Sequence, residues 1–334
     1  MHNKATALAA LTLALSASLS PFAASPASSE SHALAPGKVR QILTLTPLID
    51  QLEGIAIDHR GHIFVSHDRL ENDRYVCEIL ERAPDGTVSV FVTLDRLTCG
   101  YVGGLEFDVH GNLFAAGGSN GSSVVWRITR DGEAEILPGS KRMVGANALA
   151  FDSQGNLYAT DSVDGAIWRF PPGKRGRLWI RDPLLAPDPA IGANGIAFVP
   201  PNNLYVANLD RALIAHIRIR PDGRPTLPDI AASGFELLGI DGLTADAQGT
   251  LYAVIVVSKV LGTAPLVMVD PKTGKITSST APASAFDLPT SPYVGRGPLD
   301  HKSVFVVNSG FFPEERVEAA PGVVQVGIGT KGNQ

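Results

Sequence analysis

One twelve-residue phrase recurs along this chain, and its spacing constrains the fold more than any other feature. NALAFDSQGNLY begins at Asn147, NGIAFVPPNNLY at Asn194 and DGLTADAQGTLY at Asp241. Two earlier copies, EGIAIDHRGHIF from Glu53 and GGLEFDVHGNLF from Gly103, extend the series, so the intervals are 50, 44, 47 and 47 residues. A weaker sixth copy ends in HKSVFVV, with Phe305 where the others have Phe or Tyr. Each copy runs a strand of alternating small and apolar residues into Asp-x-x-Gly or a similar tight turn, where Gly and Asn tolerate positive φ. A second strand follows (LYAT, LYVAN or LYAV), rich in aromatic and β-branched side chains. Further strands carry their own turns: WRIT before RDGE, AIWRF before PPGKRG, HIRIR before PDGRP and VMVD before PKTGK. No segment shows a helical period.

About four short strands in roughly 45 residues make one blade of a propeller. Six copies therefore predict an all-β, six-bladed β-propeller occupying residues 38–330 as a single domain, with about four antiparallel strands per blade. KVRQILTL, ahead of the first copy, is expected to form the outermost strand of the last blade beside VVQVGIG. The ring is then closed by N- and C-terminal strands and has no free edge. A stacked β solenoid is disfavoured, because the repeat is too long for one.

The N-terminus reads differently. MHNK, the apolar run ATALAALTLALSASL and the small-residue stretch PFAASPASS form a secretory signal peptide pattern over 1–25. Residues 26–37 read as a disordered lead-in. No later stretch reaches about 18 apolar residues, so no transmembrane helix is expected. The chain is expected to be exported, to the periplasm or the medium, without membrane association. Its 2 cysteines, Cys77 and Cys99, can pair across neighbouring strands in an oxidising compartment or remain two separate buried thiols. The net charge of -5, without a basic stripe, argues against nucleic acid as a partner. No protein partner is implied; the expected partner is a small-molecule substrate.

In a propeller, the first strand of each blade lines a central channel, so one repeat position forms a ring around the axis. Counting back five residues from the turn Asp places Glu53, Gly103, Asn147 and Asp241 in that ring; Val199 holds the turn position in the fourth copy and points back to Asn194. Glu53, Asn147, Asn194 and Asp241 are hard oxygen donors carrying about two negative charges together, which suits calcium, with another divalent cation as an alternative. Zinc would want His or Cys. Singly, Asn194 and Asp241 before a Gly are ordinary turn residues; four polar residues at one register point to a metal ring. Gly103 leaves room at the fifth place.

At these residues the sequence resembles the senescence-marker-protein/gluconolactonase superfamily, through LEGIAID, ANALAFD, ANGIAF and IDGLTAD. That group includes regucalcin-like sugar lactonases, bacterial lactonases, the squid-type diisopropyl fluorophosphatase and, more distantly, paraoxonases and strictosidine synthase. The resemblance covers most of the chain after residue 38 and rests on the order and register of short motifs. It implies a six-bladed propeller with calcium in the tunnel. Glu53, Asn194 and Asp241 then match the metal ligands, and Asn147 the Asn that binds metal or substrate. The sugar lactonases carry an Arg two residues before the third-blade Asn and an Asp after it. Gly145 and Ala148 stand there in this chain, which points to a more apolar lactone or ester.

The chemistry expected is that of a calcium-dependent lactonase or carboxylic-ester hydrolase. The cation acts as a Lewis acid on the carbonyl and water as nucleophile. Asp241, then Glu53, are the candidate bases, although metal ligation weakens them. Tyr101, Met143, Tyr293 and Arg296 are candidate pocket-wall residues, the last two near the sixth ring position. His67 and His216 read as strand or loop residues, and Trp126, Trp168 and Trp179 as packing between blades. Two other readings stay open. One is a propeller that only binds a ligand. The other is a strictosidine-synthase-like propeller catalysing a non-hydrolytic biosynthetic step.

Overall fold

The computed structural model describes residues 34–45, 50–71, 74–94, 99–296, 301–309 and 321–329. The expected signal peptide lies outside them. Strand β1 (Val39–Thr44) is followed by six repeating units. The first holds β2 (Asp50–Ile57), β3 (Ile63–Glu71), β4 (Arg74–Arg82) and β5 (Val88–Leu94). The second holds β6 (Cys99–Phe107), β7 (Leu113–Ser119), β8 (Ser122–Ile128) and β9 (Ala134–Ile136). The third comprises β10 (Ala146–Phe151), β11 (Leu157–Asp161), β12 (Ala166–Phe170) and β13 (Arg177–Arg181). The fourth comprises β14 (Ala193–Val199), β15 (Asn203–Asn208), β16 (Leu213–Arg218) and β17 (Asp229–Ser233). The fifth has β18 (Ile240–Ala245), β19 (Leu251–Ile255), β20 (Leu266–Asp270) and β21 (Lys275–Ser278), and the last β22 (Pro289–Val294), β23 (Ser303–Asn308) and β24 (Gly322–Gly327).

Each unit is one four-stranded antiparallel sheet, and β1 completes the sixth in the order β1-β24-β23-β22. The pairing of Val39 with Val326 and Thr44 with Gly322 is the expected closure by N- and C-terminal strands. The innermost strands β2, β6, β10, β14, β18 and β22 pack in succession, and β22 returns to β2. The fold is thus the expected six-bladed propeller. Of the lead-in expected to be disordered over 26–37, the described residues 34–37 are held: the Gly37 amide donates to the Gly327 carbonyl at 2.8 Å, and the Lys38 amide to the Ala35 carbonyl at 3.0 Å. This turn is held by the same edge that closes the ring.

The phrase works as its chemistry suggests. Asp58 Oδ1 accepts from the amides of Arg60 and His62, both at 2.9 Å, and Gly61 takes a φ of 84°. Asp108, Asp152 and Asp246 bind their own turns in the same way. The choice of Tyr in some copies has a reason: Tyr158 Oη donates to Asp152 at 3.2 Å and Tyr252 Oη to Asp246 at 3.0 Å. Phe64 and Phe305 instead sit in an apolar core shared by the sixth, first and second blades. Trp126 and Trp168 are buried between blades as expected, and Trp179 packs edge-on against Tyr158. Cys77 and Cys99 are joined in a disulfide; it ties β4 of the first blade to β6 of the second, across blades instead of across strands of one sheet.

Candidate metal centre and active site

Every inner strand breaks register with its neighbour over the same two residues. The shift falls between Leu52 and Ile55, Val102 and Leu105, Ala146 and Leu149, Ala193 and Ile196, Ile240 and Leu243, and Pro289 and Pro292. A bulge of this kind re-aims a side chain out of the ladder. The first bulged residues are Glu53, Gly103, Asn147, Asn194, Asp241 and Thr290. The four polar residues counted from the turns therefore occupy equivalent places, and the sixth place belongs to Thr290. Thr290 Oγ1 donates to the Glu53 carbonyl at 2.9 Å, joining last blade to first.

The second bulged residue must be small because blades meet there. A Cβ on Gly54 would lie 2.3 Å from the Gly103 carbonyl oxygen, and one on Gly242 would lie 2.4 Å from that of Thr290. Ala148 and Ser291 are the only second residues of the ring that exceed Gly.

Two side chains of the ring are poorly solvated. Asn194 and Asp241 are 3% and 7% exposed. Asn194 hydrogen-bonds the Asp241 carboxylate, yet burial dominates and pushes the Asp241 carboxyl up to about 7. Glu53 is half-buried. Even so, burial, then the charges of Asp241 and Asp68, hold it well above the usual carboxylate range. Asn194 Oδ1 is buried with no hydrogen-bond partner. An orphaned amide oxygen beside two carboxylates that resist ionisation is a set of hard oxygen donors that could hold a cation. It fits calcium better than zinc: among the described residues no cluster of three or more His, Cys, Asp or Glu is poised to hold a metal. The oxygen set here is half amide.

A cavity of about 360 Å³ starts at Asn147, Asn194 and Asp241 and follows the inner strands toward the Asp turns. We call that the exit side, and the side where the inner strands begin the entry side. The expected wall residues do not share one face. Tyr101 lies two residues before the ring position. Its ring flanks the place Gly103 leaves open, since a Cβ on Gly103 would sit 3.7 Å from Tyr101 Cε2 and one on Gly118 2.9 Å from Cε1. Its hydroxyl donates to the Ala146 carbonyl at 2.5 Å, and burial raises it to about 12. Tyr293 and Arg296 lie three and six residues past Thr290, on the exit side. Tyr293 donates to Glu106 Oε1 at 2.8 Å, and Arg296 stands over the Tyr293 ring at 4.9 Å and 3.6 Å from Glu106. Placing them at the sixth ring position is off because Gly295, not Asp, holds the turn there. Met143 is no wall residue: it is buried in the core with Leu149, Trp168 and Phe170.

The histidines keep to strand roles. His67 Nε2 is 2.7 Å from Asp50 Oδ1 and its Nδ1 is 3.3 Å from Glu78. Burial pulls its pKa down, but these two carboxylates outweigh burial and raise it. His216 stacks on Tyr205 on an outer strand and meets Asn203 and Asp229. Reading the sequence alone does not single out Asp68. Its carboxyl, 5% exposed, is pushed up to about 7 by burial against the opposing Val102 amide and His67 charge, and its charge reaches both Glu53 and Tyr101.

No protein-family model matches the chain, and no curated protein matches it by sequence. Solved structures share its fold. A gluconolactonase from Xanthomonas campestris is 18% identical with a TM-score of 0.62, covering 86% of this chain and 89% of that one. A luciferin-regenerating enzyme is 14% identical at a TM-score of 0.61, over 88% and 95% of the two chains. Virginiamycin B lyase from Staphylococcus aureus is 16% identical at a TM-score of 0.55, over 87% and 99%. At such identities the likeness shows the fold, a six-bladed propeller of the kind found in gluconolactonases and related proteins.

Proposed function

We propose that this chain is a calcium-dependent hydrolase that opens a rather apolar lactone, or cleaves a related carboxylic ester, at the centre of the propeller. The observation that carries this reading is Asn194 Oδ1, buried without a partner, between Asn147 and Asp241 in the ring that Glu53 completes. Glu53, Asn147, Asn194 and Asp241 would hold the cation; another hard divalent ion would suit the same oxygens. Calcium bound there would supply a positive charge to polarise a carbonyl and offset the oxyanion developing on it.

The chain's own residues do the rest. The Asn194 amide fixes Asp241, and Tyr101 walls the second-blade sector where the ring has no side chain. Asp241 and Glu53 are the ring's titratable groups and its candidate bases. Tyr293 and Arg296 would meet the part of the substrate that extends to the exit side. The preference for an apolar substrate is supported at Gly145, where a Cβ would fall 2.7 Å from Val163 Cγ2. This chain has no cationic side chain at that point to bind sugar hydroxyls. The Cys77–Cys99 disulfide supports export to an oxidising compartment, periplasmic or extracellular.

The test is a lactone panel, aliphatic to sugar-derived, run with calcium and after chelation, beside calcium calorimetry on the same preparation. Turnover that needs calcium and is lost in Asp241→Ala is the expected result. Calcium binding without turnover of any lactone or ester would overturn the hydrolase reading and favour a ligand-binding or non-hydrolytic propeller.

A further inference from the structure

If both ring carboxylates ligate the cation, hydrolysis still needs a base that keeps its lone pairs. The seam between the first and second blades holds one. Residues of each second strand that pair with the position before the ring are His67, Asp161, Asn208 and Asn308 in the first, third, fourth and sixth blades. In three of these blades the residue after it, Asp68, Ser162 or Ser309, reaches the next blade beside its ring position. Ser162 Oγ donates to the Ala193 carbonyl at 2.7 Å, next to Asn194. The Ser309 carbonyl accepts from the Leu52 amide at 2.8 Å, next to Glu53. In the first blade the same place holds Asp68, whose two carboxylate oxygens lie 3.2 and 3.1 Å from the Val102 amide, next to Gly103.

Asp68 is thus a buried carboxylate pinned at the one sector where the ring residue has no side chain. It accepts from a single amide proton, which leaves most of its lone pairs unused. The neighbouring His67 does not neutralise it by contact, being engaged by Asp50 and Glu78. The seam is also stapled: Asp68 pairs in register with Cys77, and Cys77 is bonded to Cys99 at the start of β6. Tyr101 occupies the other flank of the same gap.

We propose that Asp68 is the general base of the hydrolysis, positioned on the entry side of the ring at the Gly103 gap. This rests on the hydrolase reading above. Water adds through oxygen to the carbonyl carbon while Asp68 takes one of its protons. The tetrahedral species then collapses, the bond from carbon to the ring oxygen breaks, and Asp68 returns the proton to the departing alkoxide. The product is the open hydroxy acid, and the carboxylate is regenerated.

Two variants test this: Asp68→Asn and Asp68→Ser. Serine already occupies the equivalent place in two other blades, so the fold accepts it there. The expected result is a fall in kcat of about 10²–10⁴-fold with KM unchanged and calcium binding retained by calorimetry. Added formate, a small carboxylate that can enter the space Asp68→Ser leaves, is expected to restore part of the lost turnover. Variants that keep the wild-type kcat overturn the assignment, and so does a loss of calcium affinity in step with turnover that formate does not repair. Both results leave the hydrolase reading standing. A wild type that binds calcium and turns over no lactone or ester sinks that reading and the role of Asp68 with it.

Discussion

Asp241→Asn should stabilise the calcium-free protein above neutral pH while removing its response to calcium. The native Asp241 carboxyl holds its proton up to about 7, because burial outweighs the Asn194 hydrogen bond, against an ordinary value of 3.8. Between those two values the native state binds more protons than the unfolded chain. The slope of stability with pH is therefore negative there: stability is intact below about 4, falls as pH rises to about 7, and stays low above it. The gap corresponds to roughly 4 kcal/mol if taken at face value. Asp241 borders a cavity that admits water, so about half of that, on the order of 2 kcal/mol, is the expected cost of ionisation. At roughly 2 °C per kcal/mol for a domain of this size, Asp241→Asn gains about 4 °C in Tm at pH 8 in chelator. It gains little at pH 4, where Asp241 is protonated in the native state and only about half ionised in the unfolded chain. Neutralising Asp241 also lowers the pKa of Glu53, which that charge helps to raise, so the gain belongs to the pair. Calcium reverses the order of the two proteins. Binding to the native state raises the wild-type Tm, whereas the variant has lost a ligand. Thermal melts at pH 4 and pH 8, with and without calcium, make the comparison. A variant that melts below wild type in chelator at pH 8, or one that calcium stabilises as much as wild type, would refute the reasoning.

Other substitutions probe the frame around the ring. Replacing Cys77 and Cys99 together by Ser frees a loop with a sequence separation of 22 and should cost about 3 kcal/mol in urea unfolding; a loss under about 1 kcal/mol would show that the blade seam does not depend on the bond. Gly242→Ala drives a methyl to 2.4 Å from the Thr290 carbonyl and should destabilise the fold by about 1–3 kcal/mol, weakening calcium binding through the adjacent Asp241. Met143→Ala should lose about 2–5 kcal/mol as a core cavity with KM unchanged; a raised KM with full stability would restore Met143 to the substrate wall.

How far the sequence could be read depended on how local each signal was. The blades were legible because Asp-x-x-Gly turns advertise themselves: one carboxylate satisfies two amides within five residues, and only Gly takes the positive φ cheaply. The ring residues were legible by the same token, since the bulge lies at a constant distance before that turn. The sixth blade broke the rule. Gly295 replaces the turn Asp, so counting landed near Tyr293, while the ring residue is Thr290, marked only by its place in the bulge and its bond to Glu53. Met143 looked like a wall residue because it precedes Asn147 by four. A short 3-10 turn at Ser140–Arg142 feeds it into the blade core instead. The cysteine spacing allowed pairing without requiring it.

Asp68 marks the limit more sharply, because nothing near it in sequence resembles a motif. Its place comes from two registers read together: β3 against β2, and the first blade against the second. The clue is comparative: at the same place Ser162 donates its hydroxyl to the Ala193 carbonyl, and the backbone carbonyl of Ser309 accepts the Leu52 amide. A carboxylate there is a costly way to accept one amide proton, since burial raises its pKa well above an ordinary Asp, and a bare backbone carbonyl accepts the equivalent amide where the last blade meets the first. A propeller gathers each repeat position onto one circle, so a chemically expensive departure from its sister blades stands out once the circle is drawn. By that logic Glu53, Asn147, Asn194 and Asp241 would define the place of the proposed cation, and Asp68, one strand out and facing the only ring position without a side chain, would define the direction from which water reaches it.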